Sequence, residues 1–182
     1  DLTGLASGPF RTITKALQVA QRGDRIILAK TKEPYRESVT LQASRHSGML
    51  TQPFILEGNG ATLDGSRPIP EAAWQSVPNR PGLFRYQPRF KSHILLYLHG
   101  RPGPRVTVPQ DATEVPELAP LQWCLFRGHV YFRVEADNIP AAYVLSATSL
   151  PVGITLYEAR HIQIRNLVVQ GFRLDGINAH DS

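Results

Sequence analysis

Two short stretches with the same pattern, a glycine followed by an isoleucine, begin 23 residues apart near the end of the sequence. They are residues 153–156 (GITL) and 176–179 (GINA). Two apolar runs lie between them, at 161–164 and 167–169, and a polar pair that includes Asn166 separates these runs. Asn166 tolerates the left-handed backbone conformation, so the chain can bend sharply there between two strands that face one core. Repeats of about 20 to 50 residues are typical of solenoids, and we therefore predict stacked coils of short strands.

The first third of the chain shows one helix followed by the same alternation of strands and tight turns. Residues 12–21 form the predicted helix, with Thr12 as its N-cap, Ile13 and Leu17 on one apolar face, and Gly23 in the left-handed conformation after its end. Four strands are predicted at residues 25–29, 35–41, 54–56 and 61–63, and residues 42–52 are read as a polar loop. No helix-length amphipathic segment separates these strands, which excludes the crossovers of a doubly wound α/β sheet.

The middle of the chain is rich in proline. Twelve of the fifteen prolines lie between residues 68 and 151, and proline is not tolerated in central ladder positions, so this stretch is predicted to be an insertion. Two hairpins are expected within it, residues 93–98 with 105–108 and residues 123–126 with 130–134. We therefore divide the chain into three parts. These are residues 1–65, a cap and the first coils; 66–152, a proline-rich insertion packed on the solenoid; and 153–182, a further coil that is cut short.

Composition narrows the classes of partner. The longest apolar runs are strand-sized, far short of the roughly 20 residues of a membrane-spanning helix. Cys124 is the only cysteine, which excludes an internal disulfide and a thiolate-rich metal site. The net charge is +5, and sixteen arginines stand against four lysines, a bias that favours bidentate contacts with an acidic polysaccharide. The alternative is that these arginines simply cover exposed strand faces; because they are scattered from Arg11 to Arg173, nucleic acid is not expected as a partner.

Several segments are similar to a known family. Residues 8–13 (GPFRTI), 23–28 (GDRIIL) and 35–37 (YRE) resemble the entry segment of the pectate-lyase-like superfamily, residues 53–65 resemble its second coil, and 153–182 its internal repeat. The resemblance implies an all-β, right-handed parallel β-helix with an N-terminal capping helix, and an extracellular or periplasmic location. The superfamily includes polysaccharide lyases, glycoside hydrolases, esterases, phage tailspikes and adhesins, so the fold does not fix the reaction.

Candidate site residues cluster in the last coil. Residues 174–177 (LDGI) resemble the Asp-Gly-Ile of polygalacturonase-like hydrolases, which implies that Asp175 is a catalytic carboxylate. His180 and Asp181 follow the same strand and would bind substrate beside it. Lyase chemistry needs a positive charge near the substrate carboxylate, and the arginines of the last coil are candidates: Arg160, Arg165 and Arg173, of which Arg173 is assigned to substrate binding. The alternatives are that Asp175 is a turn residue bonded to its own backbone and that His180 and Asp181 are only solvent-exposed.

The sequence offers no cofactor motif. None of the six histidines has the spacing of a metal motif, and although Ca²⁺ would suit lyase chemistry, no run of spaced acidic ligands is present. Four aromatic residues of the insertion would either stack on sugars or pack it internally, and Trp123 is expected to be mostly buried. They are Trp74, Trp123, Tyr131 and Phe132. The oligomeric state is not predicted.

Two functions follow from these features. The first is the N-terminal part of a secreted polysaccharide-active enzyme, a lyase or a glycoside hydrolase, whose active centre is completed beyond Ser182, so that these residues alone are inactive. The second is a non-catalytic carbohydrate-binding or cell-surface module. The first residue is Asp1 rather than Met, which predicts a removed leader or a longer precursor.

Overall fold

The computed structural model describes residues 8–90 and 93–182. The chain divides into two compact units. The first contains the described residues up to Gly65 together with Leu150–Ser182, and the second is Ser66–Ser149. The strands of the first unit pair in parallel, and those of the second pair in antiparallel four-stranded sheets.

The first unit begins with the predicted helix, α1, at Ile13–Val19. The Thr12 hydroxyl accepts a hydrogen bond from the Lys15 N–H at 3.1 Å, and both Ile13 and Leu17 are buried, so the predicted cap and inward face are confirmed. The predicted end is wrong, because the helix stops at Val19. Residues 21–24 form a turn of their own, in which the Asp24 carboxylate accepts from the Gln21 N–H at 2.7 Å.

Three parallel sheets follow α1 in this unit. The first consists of β1 (Arg25–Ile27), β3 (Phe54–Glu57) and β14 (Ile162–Arg165); the second of β2 (Val39–Gln42), β13 (Val152–Tyr157) and β16 (Asp175–His180); the third of β4 (Thr62–Asp64) and β15 (Val168–Gln170). The 23-residue repeat corresponds to the register of β13 and β16, because Ile154 pairs with Ile177. Ile26 and Ile55 lie in the first sheet, whereas Ile154 pairs with Val39 in the second.

Buried apolar rows and two polar residues hold this unit together. Its core includes Leu41, Phe54, Leu56, Leu63 and Ile154, each fully buried. Asn166 adopts the predicted left-handed conformation, with φ of 49°, and its Nδ2 donates to Glu57 Oε1 at 2.8 Å. Asn166 therefore has two roles: its backbone bends the chain, and its side chain binds the buried Glu57 carboxylate.

The predicted polar loop at 42–52 contains a short helix, α2, at Ala43–His46. His46 is buried, and its Nε2 donates to the Leu17 carbonyl at 2.9 Å while its Nδ1 accepts from the Gln42 N–H at 3.0 Å. A histidine counts as polar in sequence, but His46 can be buried because both ring nitrogens are hydrogen-bonded within the protein. These two hydrogen bonds connect α2 to α1 and to β2.

The second unit contains two antiparallel sheets. One consists of β5 (Ser66–Pro68), β12 (Leu145–Thr148), β8 (Leu96–Leu98) and β9 (Arg101–Pro102); the other of β6 (Gln75–Ser76), β7 (Leu83–Tyr86), β11 (His129–Arg133) and β10 (Trp123–Phe126). Two short 3-10 helices lie at Glu71–Ala73 and Pro140–Ala142.

Both tight hairpins of this unit turn through two residues of positive φ. The predicted hairpin of β10 and β11 is confirmed, and Arg127 and Gly128 form its turn. In the other hairpin, β8 pairs with Arg101–Pro102 rather than with residues 105–108. The reason is that His99 and Gly100, with φ of 50° and 76°, close a two-residue turn that matches strand twist.

Aromatic side chains fill the core of the second unit. Trp123 is 1% exposed, as predicted, and its Nε1 donates to the Gly103 carbonyl at 2.9 Å. Phe132 and Tyr131 are also buried, so these three rings pack the unit and cannot stack on sugars. Burial raises the pKa of the Cys124 thiol to about 11.

The prediction that the chain is an all-β, right-handed parallel β-helix is wrong. Among residues 8–90 and 93–182, three small sheets are parallel and two are antiparallel, none of them closes, and the strands from β5 to β12 pair in antiparallel. The prediction extended the repeat of the flanking segments to the architecture of the whole chain. Two-residue turns and a separate aromatic core instead make the proline-rich segment a compact antiparallel unit.

Candidate functional site

The outer face of the sheet formed by β2, β13 and β16 carries a row of polar side chains. Side chains alternate between the two faces of a strand, and the buried residues Leu41 and Ile154 mark the inner face. Gln42, Tyr157 and His180 therefore lie on the outer face, where they occupy the same position on the three strands. We call these three residues the polar row.

The polar row is open to solvent. All three side chains are exposed, and Tyr157 retains 48% of its accessible surface. Within residues 8–90 and 93–182, none of the three side chains makes a hydrogen bond. Neighbouring strands lie about 4.8 Å apart, so an amide, a phenol and an imidazole follow one another at that spacing. Their polar groups are available to a ligand.

A depression of about 640 Å³ lies where these three strands end, and we call it the end depression. It contains the residue that follows each member of the polar row: Ala43, Glu158 and Asp181. The residues that complete its lining are Arg22, Ser47, Gly48, Arg160 and His161. Ligand sites typically measure about 300 to 1,000 Å³, so the end depression has room for a sugar unit.

Backbone hydrogen bonds fix the turns around the end depression. Glu158 and Asp181 both adopt the left-handed conformation, with φ of 52° each. The Glu158 N–H donates to the His180 carbonyl at 2.9 Å, and the Arg160 N–H donates to Ser47 Oγ at 3.2 Å. The two carboxylates thus follow neighbouring strands at equivalent positions.

The charged groups of the end depression do not neutralise one another. The four ion pairs found among the described residues all lie elsewhere. In that part of the chain, the side chains of Glu158, Arg160, His161 and Asp181 also make no hydrogen bond. Arg22 uses its Nε to donate to the Ser44 carbonyl at 3.4 Å. Carboxylate acceptors and guanidinium donors are therefore both presented to a ligand.

The structure separates the candidate residues chosen from sequence into two groups. His180 and Asp181 lie together, in the polar row and the end depression. Asp175 begins β16, five residues before His180, which places it about 17 Å away along the strand. Arg173 precedes it and donates its backbone N–H to the Leu150 carbonyl.

Asp175 is accordingly not part of a carboxylate pair with Asp181. Its Oδ2 accepts from Asn178 Nδ2 at 3.4 Å, a contact to a side chain rather than to its own backbone. The carboxylate that accompanies Asp181 is Glu158, on the preceding coil.

Sequence reasoning missed Tyr157 and Glu158. Tyr157 precedes His180, and Glu158 precedes Asp181, by the same 23 residues that relate the two glycine–isoleucine stretches. Extending that repeat two residues past Leu156 would have identified both. Gln42 carries no such signal, because its strand lies more than a hundred residues earlier.

Across residues 8–90 and 93–182, no group of three or more His, Cys, Asp or Glu side chains is placed to hold a metal ion. In the same residues, no helix has the length and apolar character needed to cross a membrane.

This chain is similar in three dimensions to a solved structure of a sugar complex. No family model and no curated protein matches the sequence. The structure of XylC in complex with xylose superposes with a TM-score of 0.57 at 21% sequence identity. The match covers 89% of this chain but only 32% of XylC, so the chain spans about a third of that protein. At this identity, the likeness shows a shared fold.

Proposed function

We propose that this chain belongs to a secreted protein that acts on polysaccharide, and that the polar row and the end depression bind the sugar chain. The observation that carries the proposal is the set of unpartnered polar groups beside the row, where two carboxylates, an arginine and a histidine share one depression.

Sugar chemistry fits this mixture of groups. Each hydroxyl of a sugar both donates and accepts a hydrogen bond, so a binding site needs acceptors and donors side by side. Glu158 and Asp181 supply acceptors, and Arg160 supplies several donors in a fixed planar arrangement. XylC, which shares the fold, was solved with xylose, and this makes xylose oligomers the first probe.

The preferred reading is an enzyme of the glycoside hydrolase or polysaccharide lyase class. Hydrolysis requires one carboxyl group as acid and another as base or nucleophile, and Glu158 and Asp181 are two carboxyls in one depression. Elimination requires a base and a positive charge near the substrate carboxylate, and His161 with Arg160 supplies these.

The alternative is a carbohydrate-binding module without catalysis. It is favoured by the position of Asp175, which lies at the far end of β16 from His180 and Asp181. The carboxylate cluster implied by the Asp-Gly-Ile resemblance is therefore not assembled by these residues.

Binding is tested by titration calorimetry with xylose, galacturonate and glucose oligomers. Arg160→Gln and Asp181→Asn should each weaken binding at least tenfold, because each removes a charged hydrogen-bonding group from the end depression. Arg11→Gln and Asp111→Asn, exposed residues outside the site, should leave binding unchanged. Equal losses in the site and control variants, or no binding of any oligomer, would contradict the proposal.

Reaction class is tested on the same protein with xylan, pectate, alginate and neutral glucans. Unsaturated products detected in the ultraviolet indicate a lyase, and new reducing ends alone indicate a hydrolase. Binding without either product, by this chain and by a longer precursor alike, favours the module. Asp175→Ala compared with Asp181→Ala then shows which carboxylate the reaction uses.

A further inference from the structure

We infer that Tyr157 is a stacking platform for a pyranose ring, and that the polar row selects a β-linked chain with equatorial hydroxyls that runs across the strands. The inference rests on the proposed function and names the sugar class and the direction of the chain.

Tyr157 differs from the other aromatic residues of its unit that lie on or beside strands. Phe54 and Phe172 are buried in the core, and the Tyr35 hydroxyl donates to the Ala29 carbonyl at 3.0 Å. Tyr157 is 48% exposed, and its hydroxyl has no hydrogen-bond partner among the described residues. Neither core packing nor internal hydrogen bonding accounts for a large ring at this position. An exposed aromatic face is suited to the apolar C–H face of a pyranose.

The neighbours of Tyr157 determine which pyranose fits. Gln42 and His180 flank it on the two adjacent strands, and their amide and imidazole groups supply donors and acceptors beside the ring. Equatorial hydroxyls point outward from the rim of a stacked sugar, toward these groups. An axial hydroxyl on the stacked face would instead be pressed against the aromatic ring, where it loses its hydrogen bonds to water.

The geometry of the sheet sets the direction of the chain. Strands lie about 4.8 Å apart, a distance close to the length of one pyranose unit in an extended β-linked chain. A chain that crosses the strands therefore places successive units over Gln42, Tyr157 and His180. One edge of that chain faces the end depression, because Ala43, Glu158 and Asp181 follow the row residue by residue.

The test compares variants and sugar lengths by titration calorimetry on the full chain. Tyr157→Ala should weaken xylotriose binding at least tenfold. Tyr157→Phe should bind xylotriose with an affinity within about twofold of that of the original protein, because the ring is kept. Phe10→Ala, another exposed aromatic in the same unit, serves as the matched control and should bind normally. Affinity should rise from xylose to xylotriose, one unit per strand, and change little with xylohexaose. Mannotriose, which differs from cellotriose only in the axial hydroxyl of each unit, should bind at least tenfold more weakly than cellotriose.

Each outcome separates this inference from the proposed function. Equal xylotriose binding by Tyr157→Ala and the original protein would overturn the platform, while losses in Arg160→Gln and Asp181→Asn would leave the proposed function standing. Equal affinity for mannotriose and cellotriose would overturn the selection of equatorial hydroxyls. No binding of any oligomer would overturn both. Thermal unfolding of each variant verifies that a lost signal reflects binding, and Tyr157→Ala should remain folded because about half of the residue is exposed and the core does not depend on it.

Discussion

Both units of this chain pair distant strands, but the antiparallel unit also contains a hairpin whose two strands are adjacent in sequence. In the parallel unit, Phe54 pairs with Ile162, a partner more than a hundred residues away. In the antiparallel unit, the hairpin of β10 and β11 pairs Trp123 with Phe132, only nine residues away. Closing long loops costs more entropy and slows folding, so the parallel unit depends on long-range stacking, whereas this hairpin forms from local sequence.

The difference also explains where the candidate site lies. Parallel stacking brings Gln42, Tyr157 and His180 from three distant segments into one row that faces solvent. The hairpins of the other unit turn their large rings inward, as Trp123 and Phe132 show. The parallel unit therefore supplies a repeated outward surface, and the antiparallel unit supplies an aromatic core.

The largest effect is expected from Trp123→Ala in the antiparallel unit. The buried ring and its hydrogen bond to Gly103 are lost together, so the free energy of unfolding of that unit should fall by about 3–5 kcal/mol. Thermal unfolding, together with the reactivity of the buried Cys124 thiol toward a disulfide reagent, measures the change. Trp123→Phe should cost less because most of the ring volume is kept. A single unfolding transition that shifts as a whole would show that the two units unfold as one.

Leu17→Asp tests the parallel unit in the same way. Leu17 is 4% exposed, and an aspartate there is left without a buried partner, so we expect a loss of about 3 kcal/mol in the free energy of unfolding. Lys15→Asp, on the exposed side of the same helix, is the matched control and should be nearly neutral. Denaturant titration of both variants measures the difference. Equal effects in the two would show that the inner face of α1 does not support this unit.

The sequence allowed prediction of those parts whose signal is local. Helix α1, the pairing of Ile154 with Ile177 and the hairpin around Gly128 follow from helical periodicity, a fixed repeat and a two-residue turn. The architecture did not follow, because neither the antiparallel sheets that join β5 to β12 nor the separation of Ile26 from Ile154 has a local signature. The pairing of distant strands depends on how their side chains pack, and no short stretch of sequence determines that packing.

The candidate site residues also differ in whether a local signal in the sequence indicated them. His180 and Asp181 were predicted from their position after a strand, and the structure places them with Glu158 and Tyr157. Asp175 was chosen by resemblance, but its place at the start of β16 is set by the strand, which carries it away from Asp181.

Asn166 tests how far the parallel unit depends on its turns. Asn166→Ala forces an alanine into the left-handed conformation and removes the hydrogen bond to Glu57, so it should cost about 1–2 kcal/mol more than Asn166→Gly. Asn166→Gly loses the same hydrogen bond, but glycine adopts the left-handed conformation without strain. The difference in the free energy of unfolding between the two variants therefore measures the cost of the left-handed turn alone. Chemical denaturation of the three proteins gives the values. Equal stability of the two variants would mean that the side-chain contact alone matters.

The smallest expected effect concerns the pH dependence of the parallel unit, through Glu57. The hydrogen bond from Asn166 lowers the pKa of Glu57; the Asn59 backbone and the charges of Arg25 and Arg165 act in the same direction, and burial opposes them. A carboxyl whose pKa is lower in the folded than in the unfolded protein stabilises the fold above the unfolded value, about 4.3 for glutamate. That contribution is lost as the pH falls through the folded value.

Glu57→Gln removes this titration while keeping a similar shape and an acceptor for Asn166 Nδ2. We expect the melting temperature of the original protein to fall more steeply than that of Glu57→Gln between about pH 5 and pH 3, since only the original can bind a proton at residue 57 on unfolding. Circular dichroism melts at low ionic strength measure both curves, and Glu33→Gln, an exposed glutamate of the same unit, serves as the control. Parallel curves for the original protein and Glu57→Gln would show that the contact between Glu57 and Asn166 binds the neutral acid as well as the carboxylate. The turn at Asn166 would then act on the stack of strands through its backbone conformation rather than through charge.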